Sequence, residues 1–81
     1  MKKLVFLAPI FLFATTAYYN QGLYAYLAKN YTKAEKYFKL ACDKNQNAWG
    51  CYSYAELVKD KKLKIEYKTK ACEYGLKPAC K

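Results

Sequence analysis

Tyr37-Phe38-Lys39-Leu40-Ala41-Cys42, running on through Asp43-Lys44-Asn45-Gln46-Asn47-Ala48-Trp49-Gly50 to Cys51, decides how the chain is read. A shorter echo comes after it, Tyr67-Lys68-Thr69-Lys70-Ala71-Cys72 continuing to Cys80. In both copies a lysine-rich segment finishes in Ala-Cys, crosses a polar connection that contains Gly, and meets a second Cys. This is an internal repeat, and a unit too small to bury its own apolar face must stack on a neighbour.

Working outward from that stretch, Ala34, Tyr37, Phe38, Ala41 and Cys42 recur at the step of one helical face, with Lys33, Glu35, Lys36, Lys39 and Lys44 on the other. Thr32 is the expected N-cap of this helix, with Glu35 completing a capping box. The polar run Asp43 to Asn47 ends it. Upstream, Leu23, Tyr26, Leu27 and Tyr31 mark the apolar face of a helix over Tyr18–Asn30, in which Gly22 and Ala25 are small enough to let a neighbour come close. Downstream, Cys51, Tyr54, Ala55 and Val58 define a third helix over Ala48–Val58, with Trp49 closing over the turn at its start. After the charged connection Lys59-Asp60-Lys61-Lys62, a fourth helix is expected to bury Leu63, Tyr67, Ala71 and Tyr74, with Gly75 as its left-handed C′ residue. Pro78-Ala79-Cys80 reads as the first turn of a further helix. The expected fold is all-α, a short superhelical repeat of antiparallel helix pairs with units at 18–47 and 48–81.

A chain of 81 residues holds one small domain, which buries too little surface to be stable without help. Met1-Lys2-Lys3, the apolar run Leu4 to Phe13, and small residues at Thr15 and Ala17 have the pattern of a secretory signal peptide over residues 1–17; the alternative is an uncleaved N-terminal anchor. The apolar run falls short of the roughly 18 residues that span a membrane. Export and an even cysteine count point to disulfides in a secreted or periplasmic protein. Four cysteines allow three pairings, and the repeat selects Cys42 with Cys51 and Cys72 with Cys80. With no His and no Cys-x-x-Cys, nothing in the sequence suggests a zinc site or any other metal, and no cofactor motif is present.

The residues Gly22…Tyr24-Ala25, Tyr31-Thr32-Lys33-Ala34, Tyr37 to Cys42 and Gly50-Cys51 resemble the Sel1-like repeat, a relative of the tetratricopeptide repeat. More narrowly, they resemble the secreted cysteine-rich Sel1-repeat proteins of Helicobacter and Campylobacter, in which each helical hairpin carries a disulfide. The second repeat is shorter between Val58 and Ile65, where lysines replace the Gly-rich turn. The resemblance implies a protein- or peptide-binding module. It also raises an enzymatic alternative, because members of that family are described as penicillin-binding proteins or weak β-lactamases.

The residues themselves give that alternative little to work with. The one serine, Ser53, stands in Ser53-Tyr54-Ala55-Glu56 without the lysine of a Ser-x-x-Lys motif. Glu35, Glu56, Glu66 and Glu73 sit among lysines at spacings typical of solvated helix pairs, so no catalytic residue is assigned. Of the ten tyrosines, Tyr26, Tyr31, Tyr37, Tyr54, Tyr67 and Tyr74 fall on the expected apolar faces. Tyr18, Tyr19, Tyr24 and Tyr52 remain as the candidate contact surface. The net charge of +9, its positive side carried entirely by lysine, reads either as a solvated surface or as a face that meets an anionic envelope component or an acidic partner, and not as a nucleic-acid site, since Arg is absent and export removes the chain from it.

Overall fold

The computed structural model describes residues 17–80; residues 1–16, nearly all of the stretch read as a signal peptide, and Lys81 lie outside the described residues. The described residues are all-helical and contain no strand. We label the helices α1 (17–27), α2 (Tyr31–Asn45), α3 (Ala48–Leu57) and α4 (Lys61–Glu73), with a 3-10 turn over Lys77–Cys80 after them. Connections this short turn each helix back against the one before it. Residues of α1 and α3 line one groove, and Asp43 on α2 meets Tyr67 on α4, so the chain forms two layers, α1 with α3 and α2 with α4.

Local chemistry sets the helix ends. Lys29 takes the left-handed conformation at φ 64°, the Asn30 N–H donates to Ala25 O at 2.9 Å, and the Lys29 N–H donates to Tyr26 O at 2.9 Å. This is the Schellman closure, made here by a residue other than glycine. Asn30 then caps α2, its side-chain oxygen accepting from the Lys33 N–H at 3.2 Å, so α2 starts ahead of the expected Thr32 cap. Asn47 caps α3 through the Gly50 N–H at 3.1 Å, and Asp60 caps α4 through Lys62 and Leu63. Asp60 therefore draws the start of α4 back into the expected lysine connection. Gly75 closes α4 as expected, at φ 106°, with Leu76 N–H donating to Ala71 O.

The core runs through Phe38, Ala41 and Cys42 of α2, Cys51, Tyr54 and Ala55 of α3, and Tyr67 and Ala71 of α4. Tyr54 and Tyr67 meet edge-on with centroids 4.6 Å apart. The expectation for α1 is corrected. Leu23, Tyr26, Leu27 and Tyr31 are exposed, and the face turned inward is Gly22 and Ala25. A Cβ on Gly22 would lie 2.6 Å from the Phe38 ring, so the small residues are the ones that let α1 reach α2, and the bulky ones are left at the rim. Tyr74 is also largely exposed, because it occupies the C-cap where the helix face ends.

Cys42 is bonded to Cys51 and Cys72 to Cys80, with Cα–Cα separations of 4.6 and 4.8 Å. Each bridge ties the last turn of an even-numbered helix to the next segment of the chain. Loops this short remove about 2.5 kcal/mol of unfolded-state entropy apiece in the chain-entropy model. Replacing Cys42 and Cys51 together by Ser is expected to lower the melting temperature by roughly 10–20 °C, and reductant is expected to lower it further in the variant through the second bridge; a variant that melts like the wild type would show the bridge to be energetically idle. Lys29→Gly relieves a left-handed lysine and is expected to add about 1 kcal/mol in denaturant titration, whereas Gly50→Ala, whose Cβ would sit 2.7 Å from that of Ala41, is expected to remove about 1–3 kcal/mol.

Candidate functional site

The sequence distributes its charge by helix. α1 and α3 contain no lysine, whereas α2 carries Lys33, Lys36, Lys39 and Lys44 and α4 carries Lys61, Lys62, Lys64, Lys68 and Lys70. The two layers therefore differ in kind, one aromatic and nearly neutral, the other basic.

Between α1 and α3 lies a groove of about 400 Å³, within the size range of small-ligand and side-chain pockets. Phe38 forms its floor, with Tyr19, Leu23 and Tyr26 on one wall and Trp49, Tyr52, Ser53, Glu56 and Leu57 on the other. Trp49 is 52% exposed and Tyr26 45%, so large rings face solvent on both walls. Trp49, at the start of α3, stands edge-on to Tyr52, centroids 6.2 Å apart. Tyr19 leans on Phe38 at 5.6 Å.

Of the four tyrosines singled out from the sequence, this groove brings together Tyr19 and Tyr52, both half-buried. Tyr18 lies outside it, stacked at 6.4 Å on Tyr37. Tyr24, 74% exposed, lines a separate shallow depression with Gln21, Asn30 and Lys33. Apolar spacing places Leu23 and Tyr26 in the interior and Trp49 at a turn, whereas the structure puts all three on the groove. The lysine-free composition of α1 and α3 was the available signal.

The basic layer has its own junction. Tyr67 donates its hydroxyl hydrogen to Asp43 at 3.1 Å, Lys39 pairs with the same carboxylate at 2.9 Å, and Lys70 approaches it at 3.6 Å. The Lys70 ammonium also sits 4.6 Å from the centroid of the Tyr67 ring. Partial burial pushes the Asp43 carboxyl up, but Lys39, the Tyr67 hydroxyl and Lys70 outweigh it and hold it below its ordinary value. The Asp43 hydrogen bond in turn raises Lys39, against partial desolvation. These contacts join α2 to α4 on the side away from the groove.

No family model, no curated protein and no solved structure matches this chain.

Because Asp43 binds its proton less readily in the folded state than in the unfolded state, the stability it confers is present above about pH 4 and is lost as pH falls through the depressed folded value. Asp43→Asn is expected to cost roughly 1–2 kcal/mol at pH 7. In circular-dichroism melts from pH 7 to pH 2, the gap between variant and wild type should close below about pH 4; a gap independent of pH would show that the carboxylate charge contributes nothing.

Proposed function

We propose that the protein is an exported Sel1-like repeat module, its helix pairs set in a short superhelix, that binds a peptide segment of a partner protein in the groove between α1 and α3. The observation that carries this reading is a rigidly backed aromatic groove. Tyr26, Trp49 and Tyr52 offer large contact area at little conformational cost; α3 is fixed by the Cys42–Cys51 disulfide and the close contact at Gly50, and α1 is set by the close contact at Gly22. Both bridges fit an oxidising compartment, which supports secretion or residence in the periplasm. The lysines of α2 and α4 would speed encounter with an acidic partner or an anionic envelope component without entering the groove.

The enzymatic alternative would use Ser53, which lines the same groove. No Lys or His lines that groove to take the serine proton, so slow β-lactam binding or hydrolysis draws little support from it.

Oxidised protein screened on an array of short peptides is expected to select a set whose binding falls about tenfold or more in Trp49→Ala, while the variant keeps its melting temperature because Trp49 is half exposed. Absence of any selected peptide, or binding indifferent to Trp49, would overturn the reading. For the alternative, intact mass after incubation with a β-lactam is expected to show no adduct; an adduct lost in Ser53→Ala would reverse that preference. Intact mass of natively expressed protein, alkylated before and after reduction, is expected to show a chain beginning at Tyr18 whose thiols react only after reduction; a full-length chain with free thiols would refute export.

A further inference from the structure

The groove is distinguished by what it excludes. Fifteen of the 81 residues are lysine, and none lines it. Its single charged residue is Glu56, whose carboxylate makes no ion pair among the described residues. The nearest cation bound to that residue is the Lys64 ammonium, which is held on the backbone carbonyls of Ala55 and Glu56 at 2.9 and 3.3 Å, not on the carboxylate. Elsewhere Asp43 pairs with two lysines and Asp60 caps α4, while Glu35, Glu66 and Glu73 also make no ion pair among the described residues but lie outside the groove. A carboxylate without a cation, at the mouth of a groove with Tyr19, Tyr26, Trp49 and Tyr52 on its walls, matches the chemistry of cation recognition. Ring faces attract a positive charge through their quadrupoles, Trp most strongly, and the carboxylate supplies the counter-charge.

We propose that the groove recognises a basic side chain of its peptide, a lysine or arginine flanked by apolar residues, seated among Tyr26, Trp49 and Tyr52 with Glu56 as its partner. This inference rests on the peptide-binding reading and narrows it. The overall positive charge of the protein does not forbid such a ligand. No lysine lines the groove, the Lys64 ammonium beside Glu56 is engaged by two backbone carbonyls, and exposed charges farther away lose most of their reach beyond about 8 Å at physiological salt.

The chain holds a single tryptophan, and it lies in the groove, so its emission reports occupancy directly. Three capped pentapeptides, Ala-Leu-Lys-Leu-Ala and the same sequence with Gln or Glu at the centre, would be titrated against the oxidised protein. The lysine peptide is expected to bind roughly five- to tenfold tighter than the glutamine peptide, with the glutamate peptide weakest. In Glu56→Gln the preference for lysine over glutamine should fall to about twofold or less, with the melting temperature unchanged. Equal binding of the lysine and glutamine peptides, or an undiminished preference in Glu56→Gln, overturns the basic-side-chain inference and leaves the peptide groove standing. No response of Trp49 to any of the three at millimolar concentration overturns both.

Discussion

The arrangement depends first on how closely α2 and α3 are held where they meet. Cys42 and Cys51 place their Cα atoms 4.6 Å apart, and Gly50 beside them leaves no room for a side chain against Ala41. A covalent bond and a backbone-close contact at the same corner leave α3 little freedom to pivot on α2. Since α1 is set against the other side of Phe38 through Gly22, the relative position of α1 and α3 is determined too, and with it the groove. A chain this short cannot fix that geometry by buried area alone, because the conformational entropy of ordering it is of the same size as the hydrophobic gain. Restricting the unfolded chain is the more economical route.

The two layers solve different problems with different residues. On the basic side, nearness of lysines on α2 and α4 would repel, and Asp43 relieves that by taking contacts from Lys39, Lys70 and Tyr67 at once. Tyr67 acts in two capacities there, offering its ring to Tyr54 and to the Lys70 ammonium and its hydroxyl to the carboxylate. On the aromatic side the groove's single charge is that of Glu56, and the space between helices is left open. The short repeat thus separates cohesion from contact surface.

Much of this could be read in the residues. The i, i+3, i+4 spacing located α2, α3 and α4, Gly75 announced a helix end, and the echo of Ala-Cys at positions 41–42 and 71–72 selected the two cysteine pairs that the structure joins. What the pattern could not supply was the orientation of α1. An amphipathic count favours the face with the largest apolar residues, Leu23, Tyr26 and Leu27, yet helices in close contact favour the face with the smallest, and here Gly22 and Ala25 prevailed. That inversion moved Tyr26 from the expected core to the wall of the groove and Tyr18 from the expected surface onto Tyr37. Capping was misplaced for a related reason: Thr32 satisfied a sequence rule, but a left-handed Lys29 had already turned the chain, giving the role to Asn30.

Both disulfides sit at the C-termini of even-numbered helices, which are brought together where Asp43 of α2 meets Tyr67 and Lys70 of α4. The opposite end, where Lys29-Asn30 and Val58–Asp60 turn the chain, has hydrogen-bonded turns and no cross-link. Neither bridge includes α1, which joins α2 through the Lys29-Asn30 turn and packs on it at Gly22 against Phe38. Of the groove's two walls, α3 is therefore locked to the fold by a covalent bond and α1 is held by a turn and by packing, giving a single cleft one jaw that is set and one that adjusts.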